Sequence, residues 1–158
     1  MIVLAKEDLH SQEGMERAFR SYFAYVKEDC DGTFNHMLGA ELVSCDYAGR
    51  TVLLKMDTKS WMTNPSDMLH GGVTASILDM TMGLLCRYFS GGYMTPTIDM
   101  SVSYLRPAPL NKTLYIEAKV TKPGISVCHA TGTAWPEGAP DKPVATSTGA
   151  YYVTHRPG

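Results

Sequence analysis

His70-Gly71-Gly72 is followed, nine residues after the histidine, by the lone carboxylate Asp79. Glycines at the start of a helix let a substrate come close to the backbone. They also leave free N–H groups at the positive end of the helix dipole. Such donors suit a developing oxyanion, and a carboxylate nearby suits acid–base work. Asn64, six residues before His70, sits in the Asn64-Pro-Ser-Asp-Met-Leu run that leads into the glycines.

Asp79 lies in Val73 to Phe89, which is apolar nearly all round. A helix with apolar residues on every face is expected at the centre of its fold. A carboxylate there needs a partner or a task. Nine residues at about 100° each put His70 and Asp79 on opposite helix faces, about 13 Å apart along the axis. One chain cannot easily focus both on a single carbonyl. Two antiparallel copies of the helix can, so the spacing points to a two-fold dimer.

The remaining elements must position this helix. Leu9, Met15, Phe19, Phe23 and Val26 recur at helical spacing over residues 9–28, and Asp31-Gly32 ends that segment. A short turn or helix follows at Phe34 to Met37. Two strands, Ala40 to Cys45 and Arg50 to Met56, are joined by the hairpin signal Asp46-Tyr-Ala-Gly49. Residues 59–69 read as loop. The central helix spans Gly71 to Phe89 and stops at Ser90-Gly91-Gly92. Strands follow at Thr95 to Leu105, Thr113 to Thr121, Ile125 to Trp135 and Val144 to Val153. In the second of these Leu114, Ile116, Ala118 and Val120 alternate cleanly. An antiparallel sheet wrapped around one long helix, an α+β fold, satisfies this order.

Composition limits the function classes. The chain has 158 residues, one domain's worth, of which 44% are hydrophobic and 19% charged. A net charge of −2 gives no basic field for nucleic acid. The N-terminal Met-Ile-Val-Leu-Ala is too short for a signal peptide, and Asp79 and Arg87 interrupt the longest apolar run, so no membrane partner is expected. Cys30, Cys45, Cys86 and Cys128 show no metal or disulfide pattern, which suggests reduced thiols and a cytoplasmic setting. Asn111-Lys-Thr113 is read as a chance sequon. His10, His36, His129 and His155 lack ligand spacing and are read as structural or exposed; no metal is expected.

The ordered series Asn64, His70-Gly71-Gly72, Asp79, Thr97-Ile-Asp-Met, Tyr104-Leu-Arg-Pro-Ala108 and Lys122-Pro-Gly124 resembles the hotdog-fold thioesterases of the PaaI type. The resemblance covers about residues 35 to 155. Many relatives have Gly in the loop where this chain has Pro65-Ser-Asp-Met68. The resemblance implies a hotdog domain over residues 1–158, with 1–33 a helical extension. It implies acyl-CoA thioester hydrolysis needing no cofactor beyond the CoA of the substrate. It also implies a homodimer, pairing into a tetramer, with loop residues and helix N-terminus from one chain and the acid and hydroxyl from the other.

Each residue then has an implied role beside a plainer one. Asp79 acts as general base or nucleophile, or is a structural carboxylate capped by hydroxyls such as Thr81. Gly71 supplies the oxyanion N–H, or is a hinge. His70 donates to the thioester oxygen or orders the Asn64 loop, or merely begins a helix. Asn64 assists, or forms a turn. Thr97 helps Asp79, or fills a strand. Gly72 and Arg106 contact substrate; Arg106 is otherwise a solvated strand-end charge. Met80, Met82, Tyr88, Met94 and Tyr104 are expected to line the pocket. Two alternatives remain: a non-catalytic acyl-CoA sensor, and a hotdog dehydratase acting on hydroxyacyl thioesters.

Overall fold

A computed structural model describes residues 8–154; the segments read as Met1 to Ala5 and His155 lie outside them. In chain order the elements are α1 (Gln12–Asp29), α2 (Phe34–Leu38), β1 (Glu41–Asp46), β2 (Thr51–Asp57), a 3-10 turn (Ser60–Met62), α3 (Gly71–Phe89), β3 (Thr97–Tyr104), β4 (Thr113–Lys122), β5 (Val127–Pro136) and β6 (Ala145–Tyr152). The strands form one antiparallel sheet in the order β1-β2-β4-β5-β6-β3. This is the α+β architecture the residue pattern suggests.

Alternation decides which face is buried. Val52, Leu54 and Met56 of β2 and Leu114, Ile116, Ala118 and Val120 of β4 are buried, as are Cys128, Ala130 and Ala134 of β5. α3 lies on that face, contributing Ile77, Leu78, Met82 and Leu85, all fully buried. Each such side chain contributes roughly 1.5–3 kcal/mol through burial. Close approach is possible because β5 is small opposite the helix: a Cβ on Gly132 would stand 2.9 Å from Leu78 Cδ2.

The sheet covers only one side of α3. Ser76, Asp79, Met80, Gly83 and Arg87 form a half-buried stripe on the other, although the sequence of α3 is apolar nearly all round. α1 docks through Gln12, whose amide donates to the Cys45 carbonyl (2.8 Å) and accepts from the Tyr47 N–H (2.8 Å). Tyr88 at the end of α3 donates to the Asp8 carbonyl (2.6 Å).

β3 begins at Thr97, two residues later than expected. The Thr95 hydroxyl bonds the Gly83 carbonyl instead (2.9 Å), and Pro96 has no N–H to give a ladder. β3 is an edge strand: β6 pairs one side, and the other side has no partner strand among the described residues. Ile98 is 56% exposed there.

Candidate active site

The start of α3 is set by His70, the N-cap, whose Nδ1 accepts from the Gly72 N–H (2.9 Å). A nitrogen that accepts carries no proton, so in the neutral ring Nε2 holds it and is free to donate. The same bond occupies the Gly72 N–H. The Gly71 N–H makes no hydrogen bond among the described residues, as expected for a first helical residue. Of the two, Gly71 is therefore the one whose N–H is left to donate to a ligand. Its carbonyl accepts from the Tyr104 hydroxyl at 2.8 Å, which fixes the first turn against β3.

Asn64 shapes the approach to this point. Its Oδ1 accepts from the N–H groups of Ser66 (2.9 Å) and Met68 (3.2 Å). The turn role is real, and it leaves the Nδ2 amide hydrogens available. In the loop between Asn64 and His70, Asp67 adopts φ +55. Asp is among the few non-glycine residues that tolerate this left-handed conformation. Asn64, Gly71 and Arg106 line one cleft of about 460 Å³, together with Tyr104 and Thr74. Arg106 is held there by a bond from Nη1 to the Pro143 carbonyl (2.8 Å).

Asp79 lies elsewhere. It lines a second cleft, of about 410 Å³, with Thr97, Met80, Met94, Arg87 and, from α1, Tyr22. The Thr97 hydroxyl donates to Asp79 Oδ1 at 2.8 Å. The Tyr151 hydroxyl reaches the same oxygen at 3.1 Å and the Asp79 carbonyl at 3.3 Å. Oδ2 has no hydrogen bond among the described residues. Burial, reinforced by the Asp79 charge, pushes the Tyr151 phenol far above its ordinary value, so it donates rather than ionises. Arg87, whose guanidinium is lowered from its usual value by burial, donates to the Gly92 carbonyl (3.2 Å).

One chain thus brings Thr97 to Asp79, and Asn64 and Arg106 to Gly71, but puts the two groups in different clefts. Thr81 does not cap Asp79; its hydroxyl bonds the Ile77 carbonyl one turn back (2.6 Å). Met82 and Tyr88 are buried core residues, at 0% and 2% exposure, and line neither cleft. Met80, Met94 and Tyr104 do line them. Tyr151 is the partner that sequence reasoning missed.

A long helix laid on one antiparallel sheet, with a glycine-led N-terminus and a carboxylate at mid-helix, defines a hotdog fold. A family model described as the thioesterase superfamily matches residues 67–140. Human acyl-coenzyme A thioesterase 13 is 34% identical over 93 residues, covering 58% of this chain and 64% of the relative. The chain therefore spans a little under two thirds of that relative's length. The PaaI protein of E. coli, from the phenylacetic acid degradation operon, superposes with a TM-score of 0.75 at 20% identity, covering 90% of this chain and 96% of that one. A Streptococcus mutans protein bound to acetyl CoA superposes with a TM-score of 0.66 at 23% identity, covering 75% and 91%. The chain has the hotdog fold of these proteins, and over residues 67–140 its sequence is similar to the thioesterase superfamily.

Proposed function

We propose that this protein is an acyl-CoA thioesterase, cleaving a thioester to a carboxylic acid and CoA. The observation that carries the reading is Asp79: two hydroxyls converge on its Oδ1, and its Oδ2 is left open at a cleft. A carboxylate so held is poised to take a proton from water. The resulting hydroxide attacks the thioester carbon, negative charge builds on the carbonyl oxygen, and the C–S bond breaks as the CoA thiolate leaves. The Gly71 N–H would stabilise that oxygen, assisted by the Asn64 amide or His70 Nε2–H. Asp79 attacking the carbon itself, through an anhydride that water then opens, uses the same groups.

The working site lies between two chains in this reading. Three features support that. Gly71 and Asp79 line different clefts of one chain. The stripe around Asp79 is only half-buried in one chain. β3 offers an unpaired edge, the usual template for strand pairing. A second copy with its α3 antiparallel would bring each Gly71 toward the other chain's Asp79. Such dimers pairing into a tetramer, and a cytoplasmic setting, complete the reading; no helix among the described residues is long and apolar enough to cross a membrane.

The test is hydrolysis of a panel of acyl-CoAs, followed by thiol release. At least one is expected to turn over with kcat/KM of about 10⁴ M⁻¹s⁻¹ or more. Binding without turnover across the panel would contradict the proposal and favour an acyl-CoA sensor.

A further inference from the structure

Tyr151 is 1% exposed on the inward face of β6, yet it carries a hydroxyl. A buried phenol needs a hydrogen-bond partner, and here the partner is Asp79. The space for the ring is made by two glycines. A Cβ on Gly149 would meet the ring at 2.8 Å and the hydroxyl oxygen at 3.1 Å, and a Cβ on Gly83 would meet the ring at 3.3 Å. Gly83 lies one helical turn after Asp79, on the same face. Glycine inside a helix costs about 1 kcal/mol relative to alanine, so its presence there answers a packing need.

We propose that Tyr151 is a positioning residue for the hydrolytic reaction, acting through Asp79. With Thr97 it fixes Oδ1 from two directions: Thr97 reaches from the edge strand at the surface and Tyr151 from the core beneath. The carboxylate then cannot rotate freely about its Cβ–Cγ bond, and Oδ2 is the oxygen presented to water or to the thioester. Tyr151 needs no contact with substrate for this. Its ring is packed under α3 beside Gly83, and its hydroxyl meets Asp79.

This inference rests on the thioesterase reading, and the experiment separates the two. Wild type and Tyr151→Phe are assayed side by side on the best acyl-CoA of the panel. Failure of wild type to turn over any thioester overturns the function reading itself. Where wild type is active, Tyr151→Phe should lower kcat about tenfold, the value of one hydrogen bond to a charged group. KM should stay within about twofold, since no substrate contact is removed. In an Asp79→Asn background the same substitution should change the residual rate less than about twofold, because its route of action is already gone. A kcat within about threefold of wild type, a loss confined to KM, or an equal loss in both backgrounds overturns the role of Tyr151. If Tyr151→Phe does not fold, the intact protein still carries the test. A phenol proton donated to a carboxylate gives a downfield, slowly exchanging NMR signal that must shift on Asp79→Asn. A Tyr151 hydroxyl signal unmoved by that change overturns the inference.

Discussion

Thr97 and Asp79, eighteen residues apart in sequence, meet across the seam between β3 and α3, with the threonine hydroxyl 2.8 Å from Oδ1. β3 is held at that height on the helix by Thr95 bonding Gly83 one helical turn further on. Thr97→Val keeps the branched shape suited to a strand and removes the donor. It should lower kcat about three- to tenfold and leave the fold unchanged. Steady-state kinetics beside a thermal melt decide this; a variant that loses Tm but not kcat would make Thr97 a strand filler only.

Asp79→Asn keeps size and retains an acceptor for both hydroxyls while removing the carboxylate proposed as base or nucleophile. The expected loss in kcat is at least about 10²-fold, with Tm close to wild type. A kcat within about threefold of wild type would exclude Asp79 from the chemistry.

Gly71→Ala places a methyl group beside Tyr104, whose ring carbons lie 3.3 Å from the new Cβ position. In the proposed site this would displace the thioester oxygen from the N–H, and loss of such a donor typically costs about 10²–10³ in kcat. Tyr104→Phe is the control: it removes the bond to the Gly71 carbonyl without adding a group at the site. If Gly71→Ala raises KM and spares kcat, the glycine is a turn residue and not the oxyanion donor.

Tyr88→Phe addresses a core position. The hydroxyl it removes anchors the residues before α1, through Asp8 at 2.6 Å and Ser11 at 3.3 Å. Burial pushes that phenol up to about 12, so it is a neutral donor at any working pH. Losing the bond should cost about 1 kcal/mol of stability, a fall of a few degrees in Tm. Acyl-chain preference should be unchanged. A shifted preference would return Tyr88 to the pocket wall.

Local patterning made the helices, the strand order along the chain and the hairpin turns legible. Leu114, Ile116, Ala118 and Val120 alternate and are all buried; Gly32 lies just past α1, and Gly91 and Gly92 just past α3, all with positive φ. The pairing of Thr97 with Asp79 was legible only through the spacing of a whole motif. Helix periodicity could not say which face meets the sheet, so Met82 and Tyr88 read as pocket residues although they point into the core. Tyr151 stayed hidden because its contact with Asp79 spans 72 residues and a strand tyrosine is ordinarily filler. Two signals were nonetheless present: a mid-helix Gly83, and a bulky Tyr151 closing a line of small inward residues, Ala145, Ser147 and Gly149. Neither shows its meaning until the sheet is assembled.

The most direct test of the account is complementation between Gly71→Ala and Asp79→Asn chains. If the two residues serve one site from different subunits, each mixed dimer carries one doubly altered site and one intact site. Random reassortment of equal amounts gives about half mixed dimers, so activity should recover to about a quarter of wild type. The chains are co-refolded, and native mass spectrometry confirms the mixed species. Activity that stays at the background of the parent variants, with mixed dimers present, would contradict a site shared between two subunits.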